Sequence, residues 1–149
     1  MRVLVQRSLL ASVTVDEVCV GKIEKGMVVL VGFTVGDGID DIQYCINKLI
    51  HLRIFEDENG TMNESILDQK GSILSISQFT LYANTEKGNR PSYSAALKAK
   101  EAEPLYERWN QELSKYVKVE TGKFGADMKV TLTNDGPVTI LIESRKKCD

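Results

Sequence analysis

The run Met128-Lys129-Val130-Thr131-Leu132-Thr133-Asn134-Asp135-Gly136-Pro137-Val138-Thr139-Ile140-Leu141-Ile142 decides how the sheet is read. Met128 to Thr133 alternates, and Val138 to Ile142 is an apolar run, so both halves have strand composition. Asp-Gly between them is a strong hairpin signal, because glycine accepts the positive φ that primed turns need. Pro137 complicates the turn, since it gives no N–H to a ladder and biases Gly136 toward extended backbone. Two strands joined by a turn are expected, with the Gly-Pro carbonyls and ring edge facing away from the sheet.

Outward from this run, residues 2 to 33 read as strands at Arg2 to Gln6, Ala11 to Val15, Val18 to Ile23 and Met27 to Phe33. Ile39, Ile42, Ile46, Leu49, Ile50 and Ile54 recur at helical spacing, which predicts a helix from about 39 to 53, with Asp40-Asp41 suiting its first turn. Ile66-Leu67 reads as a short strand, and Ser72 to Leu81 as a central one. Ser94 to Tyr116 is helical, with Leu105, Trp109 and Leu113 at i, i+4 and i+8. Pro104 is expected to break that helix near Glu103, since proline in a helix interior costs about 3 kcal/mol.

These elements predict an α+β domain spanning 1–149, with a strongly curved, mostly antiparallel sheet or barrel-like subunit and two helical segments on one side. Its sheet edges need protection, and pairing two copies provides it, so a homodimer is expected. At 149 residues the chain can bury roughly 70% of the surface its unfolded form exposes.

A net charge of −2 argues against coating long nucleic acids but permits a grip on the end of an RNA. The basic clusters Lys87-Gly88-Asn89-Arg90 and Arg145-Lys146-Lys147 read as solvated decoration, and disorder is expected only in the last few residues. Cys19, Cys45 and Cys148 are odd in number and widely spaced, which suggests neither a disulfide framework nor a zinc site but a reducing compartment. No leader-like or membrane-spanning apolar run stands in the sequence, so a cytoplasmic protein without membrane contact is expected.

The single histidine, His51, falls beside the apolar stripe of its helix. There is no Gly-x-Ser-x-Gly elbow, phosphate loop, His-Glu-x-x-His or prominent acidic pair, so no metal or cofactor is expected. What remains is catalysis by hydroxyls, backbone N–H groups and carbonyls around a reactive ester, where each oxyanion donor is worth about 2.7–4 kcal/mol. Ser77-Gln78-Phe79-Thr80-Leu81 is the candidate. It reads either as a buried strand end or as a site in which Thr80 is nucleophile or water-orienting group, Phe79 and Thr80 lend oxyanion N–H groups, and Gln78 holds a carbonyl or water.

Ser77 to Leu81 resembles the S-Q-F-T-L motif of the D-aminoacyl-tRNA deacylase family, and Asn134 to Thr139 resembles its N-x-G-P-V-T motif. Supporting matches are Met1 to Arg7, Lys87 to Ser92 and Thr121 to Met128. The resemblance implies a dimer of barrel-like subunits that hydrolyses the ester of D-aminoacyl-tRNA, with glycyl-tRNA as a by-product substrate. It implies a cis Gly136-Pro137 bond, for which local sequence alone favours trans, and a Gly-Pro pair reaching into the partner's site. Gly136 and Pro137 would receive the substrate's α-ammonium on backbone carbonyls and exclude L side chains. Arg7 would brace that segment, and Phe124 and Met128 would pack on the terminal adenosine or, alternatively, in the core. With no base visible for Thr80, attack by water or assisted by the ribose hydroxyl is favoured over a covalent route. Two other readings are a non-catalytic module for the acceptor end of tRNA and a general small-ester hydrolase.

Overall fold

The computed structural model describes residues 1–145; Lys146, Lys147 and Cys148, and the disorder expected of the tail, lie outside the described residues. The organising element is β1 (Arg2–Val15), one 14-residue strand rather than the two expected. Asp16 and Glu17, both at positive φ, turn the chain into β2 (Val18–Ile23), and β3 (Gly26–Gly32) follows along the same edge of β1. β2 pairs with the far half of β1 and β3 with the near half, both antiparallel.

The opposite edge of β1 is covered end to end by β8 (Lys129–Glu143), from Thr14 opposite Lys129 to Arg2 opposite Glu143. The hairpin expected at Asp135-Gly136 is therefore absent: the chain keeps its direction, and the motif forms a bulge within one strand. Between the pairs Ser8–Asn134 and Gln6–Thr139, β1 advances two residues while β8 advances five. The surplus is the Asp-Gly-Pro-Val segment, whose proline has no N–H to pair, and the bulge lets pairing resume beyond it.

β6 (Ser72–Ser77) adds to β3, and β7 (Lys118–Thr121) adds to β6, both in parallel. The sheet is mixed, antiparallel around β1 and parallel beyond β3. It curls until β2 nearly meets β7: a Cβ placed on Gly21 would lie 2.7 Å from the Thr121 carbonyl oxygen. That near closure bears out the barrel-like reading. β4 (Phe55–Glu56) and β5 (Met62–Glu64) make a separate small hairpin.

Both faces of the β3–β6 region are buried, which explains the unbroken apolar runs there. Val28, Leu74 and Ile76 face the barrel interior with Ala11, Val13 and Ile23. Met27, Val29, Val31 and Ile73 face the helices with Val3 and Val5. On that side lie α1 (Ile39–His51), burying Ile42, Cys45, Ile46, Leu49 and Ile50, and α3 (Ala99–Leu113), burying Ala102, Tyr106, Trp109 and Leu113. A third, short helix, α2 (Ile66–Gln69), replaces the strand expected at Ile66-Leu67; Ser65 caps it by accepting the Asp68 N–H, a bond that sequence periodicity cannot register.

α3 is continuous through Pro104, contrary to expectation. Pro104 lies on the solvent face, where the Lys100 carbonyl it leaves unpaired can bond water. The buried face holds the helix in place: Tyr106 Oη donates to the Ser75 carbonyl at 2.7 Å and Trp109 Nε1 to Ser75 Oγ at 3.2 Å. No described helix is long and apolar enough to cross a membrane.

Two outcomes test this account. Gly21→Ala is expected to force β2 from β7 and cost about 1–3 kcal/mol in urea denaturation. The second concerns Asp41, which accepts from the Gly38 N–H, Ser144 Oγ and Arg145 at the start of α1. Burial pushes its carboxyl up, but Arg145, Ser144 and Gly38 outweigh that and hold it at about 2, below the ordinary 3.8. The unfolded chain then takes up the proton more readily, so this stabilisation is present above pH 4 and lost as pH falls toward 2. Asp41→Asn should flatten the fall of Tm over that window relative to wild type.

Candidate active site

A cleft of about 540 Å³ opens at the carboxyl ends of the parallel strands β3 and β6. Val31 to Phe33 and Ile76 to Phe79 form its floor, Leu97 to Ala102 at the start of α3 one wall, and Phe124 to Val130 the other. It thus gathers Ser77, Gln78 and Phe79 from the first sequence motif and Phe124 and Met128 from the segment between the two motifs, with no residue of Asn134 to Thr139. The wall from Leu97 to Ala102 escaped the sequence reading; its apolar side chains look like any helix start.

The catalytic candidate does not continue as a strand to Leu81. β6 stops at Ser77 and Phe79–Tyr82 form a 3₁₀ turn. Gln78 N–H still bonds the Val31 carbonyl at 2.7 Å, so the sheet ladder ends at the residue before the turn. The consequence is chemical. The first N–H groups of a helical turn have no partner within it, and those of Phe79 and Thr80 meet no acceptor among the described residues. Thr80 is exposed beside the cleft, and its Oγ1 accepts a hydrogen bond from Gln78 Nε2. His51 does not line this cleft; it is exposed on α1 with Nδ1 2.8 Å from its own helix's Asn47 carbonyl.

Neighbouring aromatics hold the turn and the wall. Phe79, exposed at the cleft, stands edge-on to Tyr93 with ring centroids 5.1 Å apart. Arg2 donates to the Leu81 carbonyl at 2.7 Å and lies over the Tyr82 ring, which ties the 3₁₀ turn to β1. Phe124 packs 5.9 Å from Tyr106, centroid to centroid, and Met128 packs on the barrel core, so each is half-buried with part of its surface on the cleft. The basic loop Lys87 to Arg90 is exposed between Asn84 and Ser92, which pair with each other. Arg145, read from sequence as decoration, pairs with Asp37 and Asp41.

The β8 bulge is held by two side chains. Arg7, only 6% exposed, donates Nε to the Asp135 carbonyl at 2.9 Å and Nη1 to the Ile54 carbonyl at 2.8 Å. Asn134 accepts the Val138 N–H at 3.0 Å and donates to Thr139 Oγ1 at 2.9 Å, bridging the bulge from beneath. Gly136-Pro137 is cis, and both residues are exposed. Gly136 has φ +137, and a Cβ there would sit 2.7 Å from Val138 Cγ2, so the position requires glycine.

Within one chain, Gly136-Pro137 and the cleft are apart. Ser77 is opposite Val31 and Val31 opposite Val3, whereas the bulge falls beside Arg7. Three strand spacings and four residues along the strand put them roughly 20 Å apart over the sheet. Ser77 to Phe79, Phe124 and Met128 therefore share one site, and Arg7, Gly136 and Pro137 form another cluster.

The sequence matches a family model described as D-Tyr-tRNA(Tyr) deacylase over residues 4–143. A D-aminoacyl-tRNA deacylase of Bacteroides fragilis is 54% identical over 149 residues, 99% of each chain. One of Geobacillus sp. is 53% identical over 148 residues, covering 99% of this chain and 97% of that one. Among solved structures, a c-Myc DNA Unwinding Element Binding Protein superposes with a TM-score of 0.93 at 39% identity, over 98% of this chain and all of that one. A probable eukaryotic D-amino acid tRNA deacylase shares the fold, with a TM-score of 0.81 at 17% identity over 95% and 98% of the two chains.

Arg7→Lys retains the charge but offers one ammonium where the guanidinium reaches two carbonyls on different segments. One buried carbonyl loses its partner, and a loss of about 1–3 kcal/mol in chemical denaturation is expected.

Proposed function

The chain belongs to the D-Tyr-tRNA(Tyr) deacylase family, and from that premise we propose that it hydrolyses the ester of D-aminoacyl-tRNA, releasing tRNA and the D-amino acid. It is a hydrolase acting as one domain over its length, in the cytoplasm, with glycyl-tRNA as a secondary substrate because glycine has no side chain to reject.

The aminoacyl-adenosine end enters the cleft, with the adenine against Phe124 and Met128; such stacking contributes roughly 1–3 kcal/mol whatever the RNA sequence. The ester carbonyl faces the N–H groups of Phe79 and Thr80, which stabilise the oxyanion as it forms. That pair of unpartnered donors beside the cleft is the observation that carries the reading. They are backbone groups on a turn anchored by Arg2 and the β3 ladder, so they need no reorganisation during reaction. Gln78 and the Thr80 hydroxyl, already bonded to each other, orient the attacking water or the vicinal ribose hydroxyl. Ser77 supports the end of the strand from which they project.

Chirality is checked by Gly136 and Pro137 of a second copy. The roughly 20 Å between bulge and cleft in one chain argues that the segment serves a partner's cleft, in a homodimer whose active sites lie at the interface. Its carbonyls take the α-ammonium, and its backbone occupies the volume an L side chain would need. Arg7 and Asn134 hold that backbone rigid, so exclusion does not depend on a rotamer.

The test compares deacylation of D- and L-tyrosyl-tRNA. Wild type should hydrolyse the D ester and spare the L ester, Gly136→Ala should lose most D turnover, and Thr80→Val, which removes one hydrogen bond, should retain activity within about tenfold. A trapped acyl-enzyme with an inactive Thr80→Val would overturn the non-covalent route. Tight binding of the acceptor end without D-ester hydrolysis would favour a binding module, and equal turnover of free amino-acid esters a general esterase.

A further inference from the structure

A second cleft, of about 420 Å³, lies at the opposite ends of the same strands. Its rim carries Lys22, Lys25, Lys70 and Lys118 against one carboxylate, Glu24. None of these five side chains takes part in an ion pair among the described residues. The chain as a whole is at −2, so this is a local excess of positive charge on an acidic protein.

The lysines stand on fixed backbone. Gly26, Ser72 and Lys118 lie in one row across β3, β6 and β7, and the Lys25 carbonyl accepts the Ser72 N–H at 3.0 Å. Lys70 turns the chain out of α2 at φ 51, and Lys22 projects from β2, where Ser12 pairs with it. Four lysines border one opening of this size, and charges closer than the Debye length, roughly 8 Å in physiological salt, are only partly screened from one another. Their mutual repulsion is relieved by a multiply charged anion seated among them, and lysine suits phosphate as a point charge on a flexible stem.

We propose that this cleft binds phosphate groups, independently of the aminoacyl-ester cleft, which lies about 17 Å away along β6. The ligand carries at least two phosphate charges, supplied either by the RNA backbone of the substrate or by a free phosphorylated compound.

Calorimetric titration of wild type with sodium pyrophosphate in 50 mM NaCl tests the site, with Lys22→Gln/Lys118→Gln as the variant. Saturable one-site binding is expected, weakened about tenfold or more when two of the four charges are removed. Absence of saturable binding, or equal affinity in the variant, overturns the proposal. Both lysines are exposed, so the fold should survive; Lys25→Gln/Lys70→Gln repeats the test from the other side of the cleft. Deacylation kinetics then separate the two sources. A raised KM for D-tyrosyl-tRNA at unchanged kcat, with pyrophosphate competing, assigns the site to the RNA backbone. Unchanged kinetics with lost pyrophosphate affinity assign it to a free ligand. Hydrolysis of the D ester by wild type is read in the same assay, so failure of the phosphate site and failure of the deacylase reading are told apart.

Discussion

The structure depends on β8 remaining paired with β1 across a segment that cannot pair. Proline offers no N–H and Gly136 sits at a φ that other residues avoid, so the ladder has to open between Asn134 and Thr139. Opening a ladder leaves polar groups without partners, at about 1–3 kcal/mol each if they are buried. Arg7 and Asn134 supply those partners. Arg7 does so from inside the barrel wall, where a charge is tolerated because its guanidinium meets two carbonyls and the Asp135 carboxylate lies 3.5 Å away. The bulge is thereby braced and exposed together, the combination that the proposed steric test of handedness needs.

The same long strand sets the rest of the architecture. β3 and β6 are buried on both faces, and their carboxyl ends meet solvent next to apolar surface in the cleft at Gln78. Helix α3 closes that cleft because Ser75, a small polar residue in an apolar strand, receives both Tyr106 and Trp109. Deletion of its hydroxyl would leave the indole N–H unpaired, so Ser75 serves the helix docking rather than the chemistry. The opposite strand ends are polar and cationic, so the two ends of the barrel differ in chemical character.

Much of the local structure was legible in the chain. The stripe of α1 announces its own buried face, and the adjacent Ile73-Leu74 pair marks a strand covered on both sides. Ser77 to Thr80 stood out because no histidine-based alternative existed. Its geometry did not: a strand reading hides the N–H groups in a ladder, whereas the observed 3₁₀ turn frees them. The break expected at Pro104 failed because buried contacts on the far side of α3 outweigh a propensity cost of about 3 kcal/mol. Arg145 looked like decoration because its partners, Asp37 and Asp41, are more than a hundred residues away.

Residue order by itself determined which segments are apolar on one face or both, where glycine and proline interrupt them, and the family to which the two motifs point. It could not determine whether Asn134 to Thr139 turns the chain back or lets it pass, because both outcomes satisfy the same local preferences. That was decided by β1, whose edge is long enough to pair with both halves of the run. Only the tertiary structure therefore converted a hairpin signal into a bulge, and separated it from the cleft by a distance that a single chain does not bridge.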